Sequence, residues 1–195
     1  MSQKKFQDLA KLRSNVLERG YRLYFDEPSF SYRQKREIEF AIKMQLSEYF
    51  DTSFRSIAIA GSSHLGFSPY KGTDFTPGTS DLDIAIIDAE LFQRIWRKVA
   101  HASRGFTDNT CFRNFSNAEE ASELLRERMS RRAMILSDGL PLSPEINKDR
   151  DFLNRLGQKY REMFASISVA FYINEYAFSW KQNSAIQNIQ TMEIK

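Results

Sequence analysis

Between residues 166 and 173 the chain alternates without a break, with Ile167, Val169, Phe171 and Ile173 on one parity and Ser166, Ser168, Ala170 and Tyr172 on the other. Side chains on a strand point to opposite faces in turn, so this period of two predicts a β-strand. Two other segments have strand character. Ser56 to Ala60 is short, partly β-branched and bounded by Gly61, and Leu82 to Ile87 is a continuous apolar run.

Helical spacing covers much of the rest. Residues 3–19 place Phe6, Leu9, Ala10, Val16 and Leu17 near one side of a helix that Gly20 is expected to end. Residues 31–50 repeat the pattern through Ile38, Ile42, Leu46 and Phe50. Asp88 is placed to cap a helix carrying Leu91, Ile95 and Val99, and Asn117 to cap one carrying Ala121, Leu124, Leu125 and Met129. Arg126, Arg128, Arg131 and Arg132, in the C-terminal half of that helix, are assigned to solvent and to its dipole. Ser137 to Lys148, with Gly139, Pro141 and Pro144, interrupts the pattern, and further helices are expected over residues 149–164 and in the tail from Asn174. The expectation is an α/β (α+β) protein with a small mixed sheet, its central strands near residues 56–60, 82–87 and 166–173, flanked by helices. Residues 1–195 are read as a single domain with N-terminal helices over about residues 1–50.

Composition adds limits. With 42% hydrophobic and 27% charged residues the chain is ordinary globular material, and sixteen Phe and eight Tyr supply core volume. A net charge of +3 does not by itself argue for nucleic-acid binding. Cys111 is alone, so no disulfide framework or thiolate metal site is expected, and a reducing, cytoplasmic setting is favoured. No apolar run approaches the roughly 18 residues of a membrane span, and Met1 to Lys5 lead into a charged helix rather than a signal peptide.

Function is expected between Gly61 and Ile87. Asp81 and Asp83 are one residue apart at the start of an apolar run, so they share one side of a strand and form a natural clamp for a divalent cation. Gly61, Ser62 and Ser63, at the end of the preceding strand, offer small side chains, hydroxyls and backbone N–H groups for phosphate. Ser80 is expected to set the turn before the acids. The loop over residues 64–80, with three Gly, two Pro and Lys71, is longer than usual connections and is expected to cover the ligand or contact an acceptor. Lys71 is a candidate for neutralising phosphate charge. His64 is a candidate for touching phosphate but is read in preference as a loop residue without a partner, Tyr172 and Trp180 are candidates for stacking on a base but are read in preference as packing residues, and the segment lacks the Gly-Lys-Ser/Thr ending of a P-loop.

The order strand, Gly61-Ser62, loop, Ser80-Asp81-Leu82-Asp83, strand, helix resembles the nucleotidyltransferase-fold superfamily typified by polymerase beta, over residues 56–100. Leu140-Pro141 and Tyr172 to Trp180 extend the likeness to bacterial stand-alone members. The resemblance implies that Asp81 and Asp83 hold Mg²⁺ (or Mn²⁺), that Gly61, Ser62 and Ser63 receive triphosphate oxygens, and that NMP passes from an NTP to a hydroxyl on a protein, an RNA or a small molecule. It also implies a toxin–antitoxin or phage-defence setting. Catalytic members carry a third carboxylate on a later strand, and the strand at 166–173 has no acid. Glu175, just past its end, is the candidate for that third position. The alternative is a catalytically silent nucleotide-binding or protein-interaction module of the same fold.

Overall fold

Four short strands form one mixed sheet in the computed structural model, which describes residues 15–33 and 35–192, the last eight by their backbone alone. The strands are β1 (Ile57–Ala60), β2 (Leu82–Ile87), β3 (Met134–Leu136) and β4 (Ile167–Tyr172), in the spatial order β1-β2-β4-β3. β1 runs antiparallel to β2, β2 parallel to β4, and β3 antiparallel to β4. The helices are α1 (Val16–Tyr21), α2 (Arg36–Phe50), α3 (Gly61–Leu65), α4 (Ala89–Ala102), α5 (Ala118–Arg132), α6 (Pro144–Lys159) and α7 (Glu175–Met192). The fold is mixed α/β in the α+β sense, as expected. No helix among the described residues is long and apolar enough to cross a membrane.

Alternation gives the sheet two unlike faces. Ile57, Ile59, Leu82, Ile84, Ile86, Ile167, Val169 and Phe171 share one face, where they pack with Ile42 and Leu46 of α2, Ile95 and Val99 of α4, and Leu153 and Leu156 of α6. These branched and aromatic side chains fill the main core, where burying each contributes roughly 1.5–3 kcal/mol. The opposite face carries Ala58, Ala60, Asp83, Ala85, Ser168 and Ala170. Small side chains leave space above them, and a second apolar cluster around Leu23, Tyr24, Leu65 and Phe178 borders that space.

Capping sets the helix boundaries. Asp88 accepts from the N–H groups of Glu90 and Leu91, and Asn117 from that of Glu120, both as expected. Four expectations are corrected. Helix α6 starts at Pro144 rather than near residue 149, because Ser143 caps it by accepting from Ile146 N–H and proline has no N–H to lose in a first turn; it stops at Lys159, five residues early. α2 starts at Arg36 after a 3₁₀ turn at Phe30–Tyr32. β3 was not expected at all. Gly20 does not end α1: it is buried inside it, where a Cβ would lie 2.0 Å from Ser179 Oγ on α7. The chain continues as a π-helical turn, Arg22–Asp26. Phe6, Leu9 and Ala10 of the expected first helix lie outside the described residues.

Candidate functional site

The small-residue face of the sheet floors a cavity of about 680 Å³, within the range that accommodates nucleotide-sized ligands. Asp83, the second residue of β2, projects into it, with Ala60 opposite on β1 and Ser168 opposite on β4. Asp81 lines the same cavity and accepts a hydrogen bond from Ser166 Oγ at 2.7 Å. The two carboxylates expected to act together are therefore brought together.

Gly61 is matched to Asp83. Its φ is +59°, and a Cβ there would lie 1.9 Å from Asp83 Oδ2, so both the backbone conformation and the space exclude a side chain. Burial chiefly, with the charges of Asp81 and Asp138 added, pushes the Asp83 carboxyl up to about 6, while Lys181 and Lys71 act in the other direction.

Ser62 and Lys71 also line the cavity, as does Ser80, whose Oγ accepts from Thr76 N–H at 3.0 Å and so fixes the turn ahead of the acids. Ser63 does not join them. It is fully buried and its hydroxyl donates to the Ala60 carbonyl at 2.8 Å, which removes it from the set expected to hold phosphate.

Glu175 is also not brought to the pair. Because β2 and β4 are parallel, Tyr172 at the end of β4 sits beside Ile87, whereas Asp83 sits beside Ser168. Glu175 lies three residues beyond Tyr172, at the far end of the sheet, where it accepts a hydrogen bond from the Tyr21 hydroxyl. The acid that does approach is Asp138, in the 3₁₀ turn Ser137–Gly139 after β3. It accepts from Ser168 Oγ at 2.8 Å and from Ser137 Oγ at 3.0 Å. The sequence reading missed it because Ser137-Asp138-Gly139 looks like a bare turn; the apolar triplet Met134–Leu136 before it was the available signal. Among the described residues no three His, Cys, Asp or Glu side chains converge as a ready-made metal cage.

The cavity rim is basic. Arg128 and Arg132 of α5, assigned to solvent from sequence, line it together with Lys71 and Lys181. The long loop forms its roof. Phe67 and Phe75 anchor that loop in the protein, and its tip reaches α7, where Lys181 Nζ donates to the Tyr70 hydroxyl at 3.3 Å and that hydroxyl lies 2.9 Å from Ser184 Oγ. Ser184 already donates to the Lys181 carbonyl at 2.7 Å, so Tyr70 is the donor to Ser184.

Two aromatic groups complete the walls. Tyr24 and Tyr172 are buried, and burial pushes both phenols far above their ordinary range, so they stay protonated. Tyr24, only 5% exposed, lines the cavity, and its buried hydroxyl has no hydrogen-bond partner among the described residues. A buried donor left unpaired costs about 1–3 kcal/mol. His64, expected to be an unpartnered loop residue, is instead buried. Its Nε2 donates to the Leu23 carbonyl at 2.6 Å and its Nδ1 accepts from Ser29 Oγ at 3.1 Å. Burial lowers its pKa to about 4, so the ring is neutral and holds the π-helical turn, and with it Tyr24, in place. No family model, curated protein or solved structure matches the chain.

Proposed function

We propose that the protein is a Mg²⁺-dependent nucleotidyltransferase that moves NMP from a nucleoside triphosphate to a hydroxyl acceptor. One observation carries this reading: an acidic floor, Asp81 and Asp83, lies under a rim of Lys71, Arg128, Arg132 and Lys181 in a single cavity. A bare anion would be repelled by the floor, and a bare cation would have no use for the rim. A cation–polyphosphate complex satisfies both.

The donor set fits such a complex. Mg²⁺ commonly takes one or two carboxylates and completes its shell with substrate phosphates and water, so the absence of a third converging ligand among the described residues is compatible with it. Asp81 and Asp83 would hold Mg²⁺ or Mn²⁺, which when bound supplies neutralisation of charge on the transferring phosphoryl group. Burial chiefly raises the pKa of Asp83, and a bound cation would offset that cost of ionisation.

The chain's own residues would do the rest. Gly61 and Ser62 border the phosphates, and Lys71 and Lys181 balance the triphosphate charge. In the transfer, the acceptor oxygen bonds to the α-phosphorus as the bond from that phosphorus to its bridging oxygen breaks and pyrophosphate leaves. The acceptor proton passes to Ser168 Oγ as Ser168 gives its own to Asp138, along the existing 2.8 Å hydrogen bond.

Incubation with labelled ATP, GTP, CTP and UTP, Mg²⁺ or Mn²⁺ and candidate acceptors tests the reading, with Asp83→Ala as control. Transfer by the wild type should fall at least a hundredfold in the variant, and equal transfer by both overturns the proposal. The second reading, a nucleotide-binding module without turnover, is favoured by Ser168 standing where an acid would complete the row beside Asp83. Calorimetric binding of Mg²⁺-NTP with no transfer supports that one.

A further inference from the structure

Trp180, read from sequence as a packing residue, is 54% exposed, and Tyr176 one turn earlier on α7 is 55% exposed. Their rings lie 6.0 Å apart and 29° from parallel, as one aromatic surface facing outward. They flank a groove of about 310 Å³ between α7 and the end of α5, together with Arg131 and Arg132. Among the described residues no acidic side chain lines this groove. Of the nearby acids, Glu127 holds Arg131 at 3.1 Å, which leaves Arg132 as the groove's guanidinium with no ion pair among the described residues, and Glu175 takes the Tyr21 hydroxyl on another side of α7.

Arg132 also lines the cavity over Asp83, so groove and cavity share a wall. Flat aromatic faces accept bases whatever their identity, and guanidinium groups accept phosphate in a planar, two-pronged fashion. A duplex would not serve, because its bases already stack on one another.

We propose that this groove binds single-stranded nucleic acid, with bases on Tyr176 and Trp180, phosphate on Arg132, and the strand directed past Arg132 toward the cavity. The strand would then be the acceptor whose terminal hydroxyl enters the site. Naming it as acceptor rests on the transferase reading above; its binding to the groove does not.

Trp180 reports on this directly. The chain has two tryptophans, so Trp96→Phe leaves Trp180 as the sole emitter. Titration of that variant with a mixed-sequence 12-nucleotide RNA, the same DNA strand, its duplex, and vesicles containing anionic lipid should give quenching by the single strands and little by the duplex or the vesicles. Anisotropy of a labelled single strand should show Tyr176→Ala/Trp180→Ala binding about tenfold to a hundredfold more weakly. In the same assay Arg132→Ala should reduce the salt slope by about one. Circular dichroism and thermal melts establish that each variant is folded. Mg²⁺-ATP calorimetry on the aromatic double variant should match the wild type.

Absent quenching, unchanged single-strand affinity in the aromatic variant, or quenching by vesicles alone overturns the proposal. Quenching by single strands in a protein that does not bind Mg²⁺-ATP overturns the transferase reading and leaves the groove assignment standing.

Discussion

At Asp83, folding works against ionisation. The carboxyl starts from an ordinary value of 3.8 and is held at about 6 in the folded chain, so its contribution to stability is complete below 3.8 and is lost as the pH rises through 6. Above that, the ionised form opposes folding by up to about 3 kcal/mol. Asp83→Asn should therefore melt several degrees higher than the wild type at pH 7.5, with the difference shrinking toward pH 4. Millimolar Mg²⁺ should raise the melting temperature of the wild type and not of the variant. A variant that melts at or below the wild-type temperature at pH 7.5 would contradict the cause assigned to the shift. Much of this was legible in the sequence: Asp81 and Asp83 one residue apart, and a glycine able to lie close by. What sequence could not supply was solvation. His64 reads as a polar loop residue, and only the fold reveals that Ser29 and the Leu23 carbonyl enclose it.

Elements obey the same division. The caps at Asp88 and Asn117 were readable because capping is local chemistry, whereas β3 was not, since three residues are too few to display a period. The contact of α1 with α7 was likewise hidden, because it depends on what faces Gly20 across a gap too small for a methyl group. Gly20→Ala should destabilise the protein by about 1–3 kcal/mol, and Ser179→Gly in the same chain should recover a large part of the loss in a urea-melt double-mutant cycle. The roof loop offers an independent test. Tyr70→Phe removes the bonds to Lys181 and Ser184 without disturbing Phe67 or Phe75. It should weaken Mg²⁺-NTP binding by about threefold to tenfold, in line with roughly 1 kcal/mol for hydrogen bonds of this type, while the melting temperature moves little.

Across the whole molecule, strand order decided what strand identity could not. The sequence located three of the four strands, but it is the parallel pairing of β2 with β4 that carries Glu175 away from the acids, and the antiparallel pairing of β3 that delivers Asp138 beside Ser168. Nearness along the chain suggested a carboxylate that the strand order carries away from the pair. Asp138→Ala should accordingly lower transfer by about 10² or more, with Glu175→Gln within twofold of wild type in the labelled-nucleotide assay; the opposite ranking would return the third-acid role to Glu175. The unequal faces of the sheet have a further consequence. The branched side chains on one side carry the packing, so Ala85 and Ala170 on the other set the shape of a mould rather than the strength of the wall. Ala170→Val would narrow that mould and change which molecules enter, while the core on the other face of the sheet stays as it is.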